Sequence, residues 1–144
     1  MRSGVKAALW LGAGLVAGFL LWWVALPYFQ APPDPRSVDY LRKVAADINR
    51  SVPVMIDRET ELLPSQAEPA VLIYNYRLVN YSAAQISVEK FAASAKQKVA
   101  QNACNRPETR DDFLKQGVTL RYAYFDKDKK FIVAIEVAPS DCGF

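Results

Sequence analysis

The sequence has no histidine and only two cysteines among its 144 residues. Histidine is the commonest general base near neutral pH and a common metal ligand. Two cysteines without histidine cannot provide the four ligands that a structural zinc ion usually requires. No phosphate loop, G-x-S-x-G motif or paired catalytic carboxylates are recognisable in the chain either. We therefore expect no metal and no cofactor, and we expect a binding role rather than catalysis.

The chain also lacks a strong excess of either charge beyond residue 26. Of its 18 basic residues, Arg2 and Lys6 precede that point, which leaves 16 basic residues against the 15 acidic ones. A nucleic-acid-binding domain normally carries a strongly basic face. The near-neutral balance therefore predicts that nucleic acid is not a partner.

A long charge-free segment occupies residues 7–26, and no acidic residue precedes Asp34. Twenty helical residues span about 30 Å, the thickness of the hydrocarbon core of a bilayer. Aromatic residues suited to the membrane interface follow at its far end: Trp22, Trp23 and Tyr28. Arg2 and Lys6 flank the near end, and positive charge stays on the cytoplasmic side. The pattern predicts a transmembrane anchor over residues 1–26 that contacts lipid through residues 7–26, with its N-terminus in the cytoplasm.

Two features of this segment allow alternative interpretations. A cleaved signal peptide also begins with basic residues and an apolar run, but the run is long and no small-x-small cleavage site follows it. Gly14 and Gly18 form a G-x-x-x-G pair, which would let two membrane helices approach closely and form a homo-oligomer. Glycine is frequent in membrane helices in any case, so the pair does not require such a contact.

The remainder of the chain divides into a spacer over residues 27–36 and a domain over residues 37–144. The spacer contains four prolines within nine residues: Pro27, Pro32, Pro33 and Pro35. Proline fixes φ and lacks an amide donor, so this stretch is neither helix interior nor central strand. We expect a short, stiff connection between the membrane and the domain.

Hydrophobic periodicity predicts two helices and two hairpins in the domain. Ser37 is an N-cap candidate for a first helix that ends before Pro53, and Ser87 is one for a long amphipathic helix that ends at Pro107. A shorter helix over residues 108–116 would stop at Gly117. The predicted strands cover residues 59–63, 70–79, 118–125 and 131–137, with turns at 65–69 and 126–130. These elements indicate an α+β domain, an antiparallel sheet of about four strands covered by helices on one face. The order of the hairpins is not determined.

The only cysteines, Cys104 and Cys142, lie near the end of the long helix and near the C-terminus. In a non-cytoplasmic domain they can form a structural disulfide that ties the tail to the helix layer. A thiol-redox pair is the alternative, although such cysteines usually lie two residues apart near a helix start.

Tyrosines cluster on or beside the predicted strands: Tyr74, Tyr76, Tyr81, Tyr122 and Tyr124. They are candidates for an aromatic binding surface. The alternative is cross-strand pairing within the sheet, in which Tyr74 and Tyr76 face Tyr122 and Tyr124 if the two hairpins are neighbours. Loops carry binding residues more often than regular elements do, so residues 56–60 and 80–86 are further candidates.

Two short patterns have simpler explanations. Asp126 and Asp128 suggest a calcium loop, but Lys130 and Phe131 occupy positions where ligands or glycine are required, so a turn is favoured. The sequences beginning at Asn49 and Asn80 match the N-glycosylation pattern, which matters only in a eukaryotic secretory pathway.

Three blocks carry a resemblance to known proteins: residues 49–53 with Asp57 and Thr60, residues 117–124 with Asp126, and residues 141–142. They resemble a group of small, largely uncharacterised bacterial proteins with an N-terminal inner-membrane anchor and a periplasmic α/β domain. The resemblance spans roughly residues 38–142. It implies a bacterial inner-membrane protein whose domain is periplasmic, and it implies no reaction and no catalytic residues.

The sequence therefore favours a non-enzymatic accessory module that binds a protein partner, either in a membrane complex or as an immunity or exclusion protein. One alternative is an envelope-acting enzyme that uses carboxylates and tyrosines and requires a pocket with perturbed pKa values. The other is a periplasmic thiol-redox protein.

Overall fold

A computed structural model describes residues 31–144, and Pro33–Phe144 forms one compact unit. The predicted anchor over residues 1–26, the Gly14–Gly18 pair within it and the first part of the spacer lie outside the described residues. Within residues 31–144, no helix is both long enough and apolar enough to cross a membrane.

The first helix, α1, spans Val38–Ile48 and begins where the sequence predicts. The backbone N–H of Tyr40 donates to Ser37 Oγ at 3.2 Å, which satisfies one of the unpaired amides of the first turn. Leu41 and Ala45, four residues apart on one face of the helix, are buried.

The sheet has five strands, which are β1 (Val54–Met55), β2 (Thr60–Glu68), β3 (Val71–Leu78), β4 (Thr119–Phe125) and β5 (Phe131–Val137). They lie side by side in chain order. The pairs β1–β2, β2–β3 and β4–β5 are antiparallel, whereas β3 and β4 are parallel. The α+β class is confirmed, but the prediction of a purely antiparallel sheet is wrong at the junction of the hairpins. Parallel neighbours need a long crossover, and the residues between β3 and β4 provide it.

β2 is longer than predicted because the chain continues through Pro64 as a strand. The pairing register shifts between Leu63 and Gln66, so the missing amide of Pro64 falls at an irregularity of the ladder. Asn49 holds this bulge: its amide donates to the carbonyl oxygen of Ser65 at 3.0 Å, and its Oδ1 accepts from the Ser65 N–H at 2.6 Å.

The crossover consists of the long helix α2 (Val88–Asn105), the short helix α3 (Pro107–Arg110) and a 3₁₀ turn (Leu114–Gln116). The predicted helix over residues 108–116 is therefore two short pieces. Gly117 ends the second piece with φ +84°, a left-handed conformation that favours glycine.

One hydrophobic core joins both long helices to the sheet. Its fully buried side chains are Leu41, Leu72, Leu114, Val118, Leu120 and Val137. Ala95 and Ala103 from α2 belong to the same cluster. Leu72, Leu120 and Val137 are register partners across β3, β4 and β5, which places them on one face of the sheet.

The segment over residues 126–130 is a turn, as predicted. Asp126 Oδ1 accepts hydrogen bonds from the backbone N–H groups of Asp128 and Lys130 at 2.9 and 2.8 Å. Its Oδ2 accepts from Ala83 N–H at 2.9 Å and so fixes the loop after β3. These bonds hold the pKa of Asp126 below its ordinary value, with the Ala83 amide the largest cause.

Candidate functional site

An open cleft of about 920 Å³ lies between α2 and the sheet. Side chains of α2 form one wall, and tyrosines of β3 and β4 form the floor. The opposite rim comes from the two segments that the sequence singles out, residues 56–60 at the start of β2 and residues 80–86 after β3. It is lined by Ile56, Asp57, Glu59, Thr60, Tyr81, Gln85 and Ile86. A concave site of this volume with an aromatic lining and a few polar groups is typical of binding sites.

The helix wall follows from the spacing of five residues: Phe91, Ala95, Lys98, Asn102 and Arg106. Intervals of three and four residues place side chains on one face of a helix. From Phe91 to Arg106 this face is about 22 Å long at 1.5 Å per residue. The wall changes along its length from apolar at Phe91 to basic at Arg106.

The floor consists of four tyrosines in two register pairs, Tyr74 with Tyr122 and Tyr76 with Tyr124. The ring centroids of each pair lie 5.5 Å apart. The planes of Tyr74 and Tyr76 make angles of 15° and 9° with that of Tyr122, so the three rings are stacked. Phe91 from the wall meets Tyr124 edge-on at 5.0 Å. These geometries are the favourable ones for aromatic pairs.

The hydroxyl groups of these four tyrosines have no hydrogen-bond partner among residues 31–144. The one fully buried side-chain polar atom without a partner in that range is Ser65 Oγ, so the tyrosine hydroxyls reach the open cleft. The residues are nevertheless well covered, since Tyr122 is only 8% and Tyr124 only 9% exposed. The floor therefore presents donors that no residue within 31–144 uses.

Burial keeps these phenols protonated. It raises the pKa of Tyr74, Tyr76 and Tyr124 from the ordinary value of 10.0 to about 12, and it raises the pKa of Tyr122 further. Loss of solvent is the largest cause in each case, because it disfavours the charged phenolate. At neutral pH all four side chains are neutral and can donate.

Tyr81 belongs to the rim and differs from the floor tyrosines. It is 38% exposed, and its hydroxyl donates to Glu59 Oε1 at 3.0 Å. This hydrogen bond raises the pKa of Tyr81. The structure thus brings Tyr74, Tyr76, Tyr122 and Tyr124 together in the floor and leaves Tyr81 at the edge of the same cleft.

The acidic and basic groups of the cleft differ in their partners. Asp57 Oδ1 accepts from the N–H groups of Glu59 and Thr60, both at 2.8 Å, which lowers the pKa of Asp57. Lys98 also contributes to that lowering through its charge. Neither Lys98 nor Arg106 makes an ion pair within residues 31–144, and the charge of Arg106 acts on the phenols of Tyr76 and Tyr122.

The wall itself is anchored to the C-terminal tail. Cys104 and Cys142 form a disulfide with 5.4 Å between their Cα atoms. Lys96 Nζ binds Asp141 Oδ2 at 2.8 Å and also donates to the carbonyl oxygen of Glu136. The pairing of the two cysteines and the position of the disulfide beside the helix layer agree with the sequence prediction.

Sequence reasoning missed the basic part of the wall. Three exposed residues lie beside the apolar stripe of α2, and their pattern is typical of a solvated helix face: Lys98, Asn102 and Arg106. Their spacing of four residues was the available signal. No group of three side chains suited to holding a metal ion is present within residues 31–144.

The fold has solved relatives. A protein of Pseudomonas aeruginosa assigned as secreted matches with a TM-score of 0.62 and 17% identity, over 78% of this chain and 98% of that one. The pilotin EpsS from the type 2 secretion system of Vibrio vulnificus matches with a TM-score of 0.59 and 10% identity, over 74% and 92% of the two chains. The type II secretion pilotin AspS from Vibrio cholerae gives 0.52 and 13%, over 73% and 94%.

At these identities the likeness establishes a shared fold. It covers nearly the whole of each neighbouring chain. No protein-family model and no curated protein sequence matches the chain.

Proposed function

We propose that this chain is an accessory protein of the bacterial envelope that binds a segment of a partner protein in the cleft, without catalysing a reaction. The observation that carries the proposal is the tyrosine floor, whose stacked rings offer apolar area and whose hydroxyls have no partner within the domain. Groups of this kind gain hydrogen bonds when a ligand covers them.

The dimensions of the cleft suit a protein segment. The wall is about 22 Å long, which matches four turns of a helix or six to seven residues of a strand. An amphipathic helix placed in such a groove would bury its apolar face against the tyrosines and α2, as in other helix-in-groove complexes.

The electrostatics of the cleft favour binding over acid–base catalysis. A tyrosine that acts as a base needs a lowered pKa, whereas the pKa values of the floor tyrosines are raised. The pKa of Asp57 is lowered, and its carboxylate holds the backbone of its own loop. An envelope-acting enzyme that used these groups as bases would therefore need tyrosines of lower pKa, or an aspartate that does not hold its own loop.

A thiol-redox role has less support because Cys104 and Cys142 join two structural elements. The disulfide links the end of α2 to the 3₁₀ turn Pro139–Cys142, beside the Lys96–Asp141 ion pair. A redox cycle would require that both thiols become accessible and that the tail separate from α2. We expect instead that the disulfide persists in cells under mild reductant.

The setting of the proposal is the cell envelope. The three structural neighbours are a secreted protein and two pilotins of type II secretion systems, which favours an envelope protein that works with other proteins. The apolar run over residues 7–26 supports an inner-membrane anchor that places the domain in the periplasm. Gly14 and Gly18 would then offer a contact for a second copy within the membrane.

Site-specific photo-crosslinking in intact cells tests the proposal. Ser94 is exposed and lines the cleft, whereas Gln97 is exposed on the same helix and does not line it. We expect a photoreactive residue at position 94 to give a discrete adduct that is absent at position 97. Identical adduct patterns at both positions would contradict docking in the cleft.

Binding of the identified partner then needs direct measurement. Ser94→Trp fills the cleft from an exposed position, and Gln97→Trp adds the same bulk elsewhere on α2. Purified partner should bind the wild-type and Gln97→Trp chains saturably and the Ser94→Trp chain at least tenfold more weakly. Equal binding by all three chains would exclude the cleft as the docking site.

A further inference from the structure

The basic end of the cleft contains several hydrogen-bond donors close together, and the part of the chain that the structure describes places no unpartnered carboxylate there. The rings of Tyr74, Tyr76 and Tyr122 are stacked on one face of the sheet, and their hydroxyls have no partner within residues 31–144. Tyr122 is more than nine-tenths buried. The hydroxyls nevertheless reach the open cleft, so a ligand that enters it can accept hydrogen bonds from them.

Arg106 adds a positive charge at the same place. Arg106 lines the cleft, and its charge acts on the phenols of Tyr76 and Tyr122. Arginine has five N–H donors in a planar fork and remains charged at all physiological pH values. Because Arg106 has no ion pair within the described part of the chain, its charge is available to a ligand.

The two carboxylates of the cleft are already engaged. Asp57 caps the loop before β2, and the charge of Lys98 also acts on it. Glu59 accepts from the hydroxyl of Tyr81. Thr109, a further hydroxyl near Arg106, donates to backbone carbonyls at the end of α2 and just beyond it. Within residues 31–144, Arg106 and the floor tyrosines therefore have no acidic partner, and an anionic acceptor would complement them.

We propose that Tyr76, Tyr122 and Arg106 form a carboxylate-binding subsite, with Tyr74 beside it, and that an aspartate or glutamate of the docked partner segment occupies it. The inference rests on the proposed docking of a protein segment in the cleft. A carboxylate has two oxygens, which can accept from the guanidinium fork and from the two phenols at once. A single arginine matches the single negative charge of this group.

The subsite can be tested with a small probe before the partner is known. The probe is 3-phenylpropionate, whose ring can lie on the tyrosine floor, and its matched control is 3-phenylpropanamide, which has the same shape without the charge. Binding to the full-length chain in lipid nanodiscs is followed by NMR at the Arg106 Nε–H and the Tyr122 ring. We expect saturable shifts with the carboxylate and at least tenfold weaker binding of the amide.

Conservative variants assign the effect to the named groups. Tyr76→Phe, Tyr122→Phe and Arg106→Gln each remove a donor while keeping most of the side chain, and each should weaken the carboxylate about tenfold or more. Tyr40→Phe and Arg50→Gln are matched controls, because neither residue lines the cleft, and both should leave binding unchanged. Equal binding of the two probes, or carboxylate binding that the three cleft variants do not alter, would overturn the subsite.

The two proposals fail separately. A partner that crosslinks at position 94 while 3-phenylpropionate shows no preference over the amide would retain the docking function and refute the subsite. Carboxylate binding that depends on Arg106, without any discrete adduct at position 94, would remove the docking function instead. When the partner is identified, replacing its cleft-bound Asp or Glu by the corresponding amide should weaken the complex about tenfold in the wild-type chain. In the Arg106→Gln chain the same replacement should have little effect.

Discussion

Alkaline unfolding provides a sensitive test of the tyrosine floor. Burial raises the pKa of Tyr74, Tyr76 and Tyr124 to about 12, against 10.0 for an ordinary tyrosine. The folded state therefore binds these protons more tightly than the unfolded state does. The resulting stabilisation is fully present below pH 10 and is lost as the pH rises towards 12.

The size of this stabilisation predicts whether the domain unfolds when its tyrosines ionise. A difference of two pKa units corresponds to about 3 kcal/mol per group, so the three tyrosines together contribute on the order of 5–10 kcal/mol. Domains of this size are stable by about 5–15 kcal/mol in total. We therefore expect ionisation and unfolding to occur together between pH 10 and 12, instead of as separate titrations of folded tyrosines.

The assay compares tyrosinate absorbance at about 295 nm with far-ultraviolet circular dichroism on a fragment covering residues 31–144. The two signals should change in one transition. A variant with phenylalanine at positions 74, 76 and 124 keeps the rings and cannot ionise there, so it should remain folded to a higher pH than the wild type. Titration of all tyrosines near pH 10 with unchanged secondary structure would refute the burial of the floor.

Three further measurements test separate parts of the fold. Replacing Cys104 and Cys142 by serine opens a loop with a sequence separation of 38. In urea titrations this change should lower the free energy of unfolding by on the order of 4 kcal/mol. A loss below about 1 kcal/mol would contradict a stabilising disulfide. Leu120→Ala removes a fully buried side chain from the centre of the sheet and should cost about 2–5 kcal/mol in the same assay; a surface-like loss under about 0.5 kcal/mol would contradict the core assignment. The pKa of Asp126 is lowered in the folded state. The stabilisation that its carboxylate gives the domain is therefore present above pH 3.8 and is lost as the pH falls below that value. Asp126→Asn should destabilise the domain at neutral pH and reduce this acid dependence, whereas Asp128→Asn should do neither; equal effects of the two changes would refute the role of Asp126 in the turn.

The helices and the terminal hairpin could be predicted because their signals are local. Ser37 is a helix cap at the correct residue, and the periodicity after Ser87 continues to Asn105. The turn that begins at Asp126 follows from its polar residues, and Gly117 ends the helical segment before β4. In each case the residues that determine the structure lie within a few positions of the element that they define.

The sheet could not be predicted in full because strand order depends on contacts between distant residues. β1 has only two residues, too few for a periodic pattern, and its pairing with β2 requires the chain reversal after Met55. Pro64 indicated the end of a strand, but the bulge beside it allows β2 to continue. The parallel pairing of β3 with β4 depends on where α2 packs, which periodicity does not specify.

Of the candidate site, the tyrosines could be predicted from the sequence and Arg106 could not. The tyrosines stood out because alternation on a strand places them on one face, and they face one another once β3 and β4 are neighbours. Arg106 gave only the weak signal of its four-residue spacing from Asn102, since an exposed arginine at a helix end is ordinarily solvated. Only the fold brings its charge to the phenols of Tyr76 and Tyr122.

Packing alone does not explain the floor of the cleft. α2 packs mainly against β5 and the C-terminal tail, where the ion pair between Lys96 and Asp141 and the disulfide of Cys104 fix it, so the tyrosines of β3 remain accessible from one side. Phenylalanine would provide the same stacked rings, so packing requires no hydroxyl on any of these side chains. The hydroxyls reach the open cleft and have no hydrogen-bond partner within residues 31–144. They are therefore available to a ligand, which is a use that the stability of the sheet does not require.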